Sequence, residues 1–262
     1  DNYSAVILGL SGRGKSVLTN LLTRSLLHDK DVRIIKVDVG GSHSKETLAL
    51  GGVEYKLSLT EPSGINPFEH FSTTENVDVI KIVSSFLNTL LLEEGEVFLS
   101  KQIRGDIEQA LQQFADSHPK NPTLDDFVKF KPDIPRIDLL KRWTGTGIYK
   151  NAFQKIPGDE RHLGNRLRYY NFGQIFQASD PDFAQGGMAA VMAQFNLELS
   201  TAGTESKIVF IADETPFFIL RLFDFFKLST ANVRKFGGSF ITIAQKSRDL
   251  IVNGDAWIIE NS

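Results

Sequence analysis

Residues Gly9-Leu10-Ser11-Gly12-Arg13-Gly14-Lys15-Ser16 carry the spacing G-x-x-x-x-G-K-[ST]. The residue types fit one task, wrapping a phosphate. Glycines tolerate positive φ and carry no Cβ that would clash with an anion. A helix that starts just after them offers unpaired N–H groups and the positive end of its dipole. Lys15 can reach β- and γ-phosphates, and the Ser16 hydroxyl can join a Mg²⁺ shell. The residues expected to hold the nucleotide are Gly9, Gly12, Arg13, Gly14, Lys15, Ser16 and Val17. A second chemical element lies far along the chain. Lys207-Ile208-Val209-Phe210-Ile211-Ala212 is an apolar run ending in Asp213-Glu214, the form of a Walker B strand. Asp213 is placed to hold Mg²⁺ together with Ser16. Glu214 is placed to orient and deprotonate water, a task that hydrolysis needs and a kinase or switch GTPase does not.

Further candidates carry two readings each. Gln245 ends the strand run Ser239–Ala244 and either senses the γ-phosphate or terminates the strand in solvent. Arg234 and Lys235 precede that run. They either reach a neighbouring subunit's γ-phosphate, as an arginine finger does, or form a solvated helix end. Asp38, at the end of Val32-Arg33-Ile34-Ile35-Lys36-Val37, either contacts the Mg²⁺ shell or the attacking water, or caps the next turn.

These groups must be positioned by a sheet. Residues 3–9, 32–38, 54–59, 167–172, 207–212, 239–244 and 255–259 read as strands, and 15–28 and 182–200 as helices. Strand, helix, strand at this spacing predicts a βαβ unit and a parallel sheet. From Thr74 the apolar spacing becomes helical, and Thr123-Leu124-Asp125-Asp126 reads as an N-cap opening a short helix. Phe217–Phe226 reads as an aromatic helix. The expected organisation is α/β, a RecA-like P-loop NTPase with a mainly parallel sheet flanked by helices. It occupies 1–74 and 166–262, with an all-helical insertion at 75–165.

Composition narrows the field. The 262 residues contain no cysteine, which removes disulfides, thiolate metal sites and thiol nucleophiles. A net charge of −3 gives no global sign of nucleic-acid binding, and no run is long and apolar enough to span a membrane. The abrupt start at Asp1, a few residues before the first strand, suggests a piece of a longer chain.

Taken together, the chain resembles the TraC/VirB-type ATPases of conjugation and type IV secretion, within the HerA/FtsK group of hexameric motors. The likeness rests on Gly9–Ser16, Asp38-Val39-Gly40-Gly41-Ser42, Ile65-Asn66-Pro67-Phe68, Ile211-Ala212-Asp213-Glu214, and Arg234-Lys235-Phe236-Gly237-Gly238 through Ala244-Gln245-Lys246-Ser247. It departs from the family after Walker B, where Asp213-Glu214-Thr215-Pro216 replaces the usual Asp-Glu-Ala-Trp. The resemblance implies ATP and Mg²⁺ as cofactors and hydrolysis that powers pilus assembly or substrate transfer. It also implies a hexamer, inner-membrane secretion components as partners, a peripheral place on the cytoplasmic side of that membrane, and an amino-terminal domain. Gln245 as sensor and Arg234 as finger match the family's motif positions. Two other functions remain to be distinguished. A DNA-translocating coupling protein or HerA/FtsK-like pump would need basic loops, for which Lys101, Arg104, Lys141, Arg142, Arg161, Arg166 and Arg168 are the candidates. Salt-dependent affinity for duplex DNA would mark it. A nucleotide-gated assembly module would bind ATP with little turnover.

Overall fold

The computed structural model describes residues 4–69, 71, 77–96, 98–156, 165–174, 180–201, 207–214, 216, 233, 238–252 and 254–260. Its chain forms two compact units, one of residues 1–56, 160–179 and 201–262, the other of 57–159 and 180–200.

The first unit holds a six-stranded sheet. Its strands are β1 (Ala5–Leu8), β2 (Val32–Asp38), β3 (Val53–Lys56), β4 (Leu167–Asn171), β5 (Lys207–Ala212) and β6 (Ser239–Ala244). Their order is β1-β6-β5-β2-β4-β3, and every pairing is parallel. The pattern follows from the sequence. Parallel strands are covered on both faces and therefore read as near-continuous apolar runs. Ile34 of β2 lies beside Leu167 of β4 and Val209 of β5. These three join Val32, Ile211, Ile241 and Ile243 in one buried cluster. Helix α1 (Lys15–Leu27) follows β1, and α2 (Ser44–Ala49) follows β2.

The strand order has a direct consequence for the chemistry. β6 lies between β1 and β5, so the ends of the phosphate-loop strand, the Gln245 strand and the Asp213-Glu214 strand emerge side by side. The carboxyl edge of a parallel sheet is where such folds bind ligands. The expected strand at 255–259 is instead a helical turn, α8 (Trp257–Glu260). Ile259 and Glu260 both donate N–H to Ala256 O, and Ile258 packs with Ala244, Leu250 and Val252. Four apolar residues are too few for their periodicity to separate strand from helix.

The second unit is helical: α3 (Val77–Leu90), α4 (Lys101–Asp116), α5 (Leu124–Phe130), α6 (Ile137–Lys141) and α7 (Pro181–Thr201). Thr123 opens α5 with a capping box, its hydroxyl and N–H exchanging hydrogen bonds with Asp126. The core is aromatic. Phe68, Phe71, Phe114 and Phe127 form one group, and Trp143 stacks on Phe153 and Phe183 in another. Gly186 in α7 lets Trp143 approach, since a Cβ there would lie 2.2 Å from the indole. The aromatic helix expected at 217–226 lies outside the described residues.

Candidate active site

The phosphate loop links β1 to α1. Gly12 and Gly14 have φ of 72° and 86°, the left-handed region in which a side chain would be strained. Gly14 is the N-cap of α1; no side chain caps the helix and its first turn carries no acid. Its leading N–H groups are therefore left for an anion. Gly9 N–H bonds Ala244 O at 3.2 Å, which fixes the start of the loop against β6. Arg13 N–H bonds Leu10 O at 3.3 Å and tightens the turn. Lys15 reaches back across the loop, its Nζ 3.4 Å from Leu10 O. Arg13 is exposed, as is Val17. Ser16 is half-buried in the first turn of α1.

The Walker B strand ends in a different environment. Asp213 is 4% exposed, at the tip of β5. Its N–H bonds Val37 O at 2.8 Å, and its Oδ1 accepts from the Glu214 N–H at 2.9 Å. Glu214 has φ of 54°, the left-handed region, an arrangement that costs about 1 kcal/mol for a residue with a Cβ. Such strain is concentrated at functional sites. Burial and the neighbouring Asp213 carboxylate push the Glu214 carboxyl above the usual range, with Asp38 adding to the effect. Lys15 and a hydrogen bond with the Gln245 side chain pull the other way. Lys15, Asp213 and Gln245 thus all act on Glu214, Lys15 from 199 positions away in the chain. Gln245 is exposed just beyond β6. Arg234, the expected finger, lies outside the described residues, as does Lys235.

Asp38 caps its own turn. Its carboxylate accepts from Gly40 N–H and Ser42 N–H at 2.7 Å and from the Ser42 hydroxyl at 2.9 Å. The Tyr169 hydroxyl donates to it at 3.2 Å. Of the two readings of Asp38, turn-capping is the one these contacts display.

Beneath the site lies a polar chain that the motifs do not announce. Lys36, 1% exposed, donates to Asn20 Oδ1 at 3.0 Å. The same oxygen lies 2.9 Å from His43 Nδ1, and His43 Nε2 lies 3.1 Å from Asp213 Oδ2. The signal was present in β2, where a lysine interrupts Ile34-Ile35 and Val37 in a strand covered on both faces. A buried lysine demands a partner.

Among the described residues no three His, Asp or Glu side chains cluster as metal ligands. Mg²⁺ in phosphoryl-transfer sites needs no such cage. It takes one or two protein oxygens, with phosphates and water completing the shell. A serine hydroxyl and a carboxylate are hard oxygen donors of that kind, so Ser16 and Asp213 fit it chemically. No described helix is long and apolar enough to cross a membrane.

The comparisons with known proteins agree with this fold. The family model of the TraG P-loop domain matches residues 1–133. A search of curated proteins found no match. Among solved structures, VirB4 of Thermoanaerobacter pseudethanolicus superposes with a TM-score of 0.66 at 18% identity, over 99% of this chain and 73% of that one. The bacterial conjugative coupling protein TrwB, in complex with sulphate, gives 0.56 at 14% identity, over 98% and 67%. TrwB in complex with the non-hydrolysable GTP analogue GDPNP gives 0.55 at 12% identity, over 98% and 68%. At these identities the structural matches establish the shared fold, that of RecA-like P-loop NTPases. With the family model spanning residues 1–133 of 262, the chain belongs to the TraG P-loop domain family.

Proposed function

We propose that the protein is an ATP-hydrolysing motor domain that energises pilus assembly or substrate transfer in a conjugation or type IV secretion system. The observation that carries this reading is the placement of Asp213 and the strained Glu214 at the tip of β5, beside the ends of the Gln245 strand and the phosphate-loop strand in the order β1-β6-β5. A loop that only bound nucleotide would need no second acid held beside it in a strained backbone. Lys15 and the N–H groups of Gly12, Gly14 and α1 bind the phosphates. Ser16 and Asp213 hold Mg²⁺, which when bound supplies charge neutralisation at the phosphates. Glu214 accepts a proton from the attacking water at its carboxylate. Gln245, at the end of the strand between the phosphate-loop strand and the Walker B strand, senses the γ-phosphate. Arg234 completes the site of an adjacent subunit in a hexamer. The helical residues 75–165 are an insertion between early and late strands. The motor works at the cytoplasmic side of the inner membrane with other secretion components.

The likeness to TrwB keeps a DNA-translocating role as the second reading. Some of the basic residues named for it have partners within the chain, and Arg161 lies outside the described residues. Lys141 pairs with Asp138, Arg142 with Asp182, and Arg166 donates to the carbonyls of Leu27 and Asp29. We therefore rank pilus assembly or substrate transfer first.

The test is Glu214→Gln, which keeps the shape of the side chain and removes its base. Binding of a fluorescent ATP analogue should persist, while steady-state phosphate release falls by about 10²–10⁴-fold, the usual worth of a positioned base. Normal turnover in this variant would overturn the assignment of Glu214.

A further inference from the structure

The buried chain that ends on Asp213 is not required by nucleotide binding as such. It joins four separate segments: β2 through Lys36, helix α1 through Asn20, the loop before α2 through His43, and the tip of β5 through Asp213. His43 and Lys36 are each 1% exposed. The order of donors along it is fixed by chemistry. Lys36 Nζ can only donate while charged, so the Asn20 atom facing it is the carbonyl oxygen. That oxygen also faces His43 Nδ1, which must therefore carry a hydrogen. The imidazole is thereby oriented by one nitrogen; the other, Nε2, faces Asp213 Oδ2. Because a carboxylate oxygen can only accept, Nε2 must carry a hydrogen too, so the ring that bonds both partners is the doubly protonated imidazolium. Tyr169 also packs edge-on against the ring, with centroids 5.9 Å apart. The ring has little freedom left.

On the carboxylate side, Oδ1 is engaged by the Glu214 N–H and Oδ2 by His43. Both oxygens are thereby pinned, each with a lone pair left over. A carboxylate that ligates a metal is commonly oriented by such outer partners, whose loss costs about 10–100-fold in metal affinity.

We propose that His43, oriented by Asn20 and Lys36, is a positioning residue that sets the Asp213 carboxylate for the Mg²⁺·nucleotide complex. This rests on the reading of Asp213 as the metal-holding acid. It adds a coupling. Asn20 lies five residues past Lys15 on α1, so the helix that presents N–H groups to phosphate also anchors the side chain that orients the Walker B acid. A shift of α1 would be carried to Asp213 through the imidazole.

The two ring nitrogens can be tested separately. The amide nitrogen of Gln falls near the position of His Nε2, and that of Asn near Nδ1. His43→Gln therefore keeps a donor for Asp213 and gives up the bond to Asn20. His43→Asn does the reverse. His43→Leu keeps neither. The probe is Mn²⁺ with a non-hydrolysable ATP analogue, read by electron paramagnetic resonance and by the Mn²⁺ concentration needed for half-saturation. Analogue binding in EDTA and thermal melting without nucleotide are measured alongside.

His43→Asn and His43→Leu should raise the half-saturating Mn²⁺ concentration about 10-fold or more and change the spectrum. His43→Gln should stay within about 3-fold of the unaltered protein. EDTA-bound analogue affinity should be unchanged in all three. Equal values for Asn and Gln would overturn the proposal, because a merely structural ring would be missed alike in both. That comparison stands even if the Leu variant fails to fold. If the unaltered protein binds no Mn²⁺·analogue, the reading of Asp213 itself has failed. If it binds and all variants match it, only the role of His43 has.

Discussion

The phosphate loop and the Walker B tip face one another across β6, yet they are built on opposite plans. The loop is exposed. Its glycines hold left-handed conformations, its helix start is uncapped, and among the described residues the hydrogen bond of Lys15 Nζ is a long one, to Leu10 O. The Walker B tip is buried, with Asp213 bonded at both oxygens and a chain of polar groups behind it. The difference is one of timing. The loop leaves its bonds to be completed by a ligand, whereas the acid is already held by the protein before any ligand arrives. Preorganised charge costs no rearrangement at the moment of reaction.

The strongest way to break this comparison is at the loop. Lys15→Ala removes the cation that the loop leaves without a strong internal partner. Turnover should fall by about 10³-fold, in the range found when a transition-state contact is deleted. The melting temperature without nucleotide should hardly move, because Lys15 contributes little to the free fold. A large loss of stability would mean that the loop is a structural element rather than a waiting one.

This contrast also explains what was legible in the sequence. Gly9–Ser16 and Asp213-Glu214 were readable because their chemistry is local: a loop needs its glycines in order, and a strand tip carries its own acids. The parallel sheet was readable for the same reason, since runs such as Lys207–Ala212 are apolar throughout. Gln245 was expected at the end of its strand, as a γ-phosphate sensor or a strand terminator; only the order β1-β6-β5 brings that strand's end next to the Walker B strand. His43, Asn20 and Lys36 were not readable. Their partners lie 16, 23 and 170 positions apart, and no spacing rule links them. Only Lys36 left a trace, as a charge in an otherwise buried strand. The last strand was misread because Trp257–Glu260 is short enough to follow either period.

The buried side of the comparison can be sharpened through Lys36. Burial lowers its pKa from 10.5 to about 8, against the attraction of Glu46, Asp213 and Asp38. In the unfolded chain the amine keeps its proton to about pH 10.4. Between these values the unfolded state binds more protons, so stability should rise with pH there. The penalty is fully present below about pH 8 and is relieved as the pH climbs, by on the order of 3 kcal/mol in total. Lys36→Met removes the titrating group. Urea midpoints taken from pH 7.5 to 9.5 should climb in the unaltered protein relative to this variant. Parallel curves would show that Lys36 keeps an ordinary pKa and that the polar chain is better hydrated than its burial implies.

The subtlest test lies where the two regions touch, at Glu214. Its carboxyl is raised by burial first and by Asp213 second, while Lys15 and the Gln245 hydrogen bond favour the ionised form. A base must be ionised to act, so kcat/KM should fall on the acid side through a pKa above that of an ordinary glutamate. This ratio reports the free protein, in which these contacts apply. Gln245→Ala deletes one group that favours ionisation and should move the acid limb to still higher pH. A solvated amide that merely ends β6 would leave the limb in place. The direction of this shift thus separates a Gln245 that supports the base from one that only closes a strand, even where its effect on the maximal rate is small.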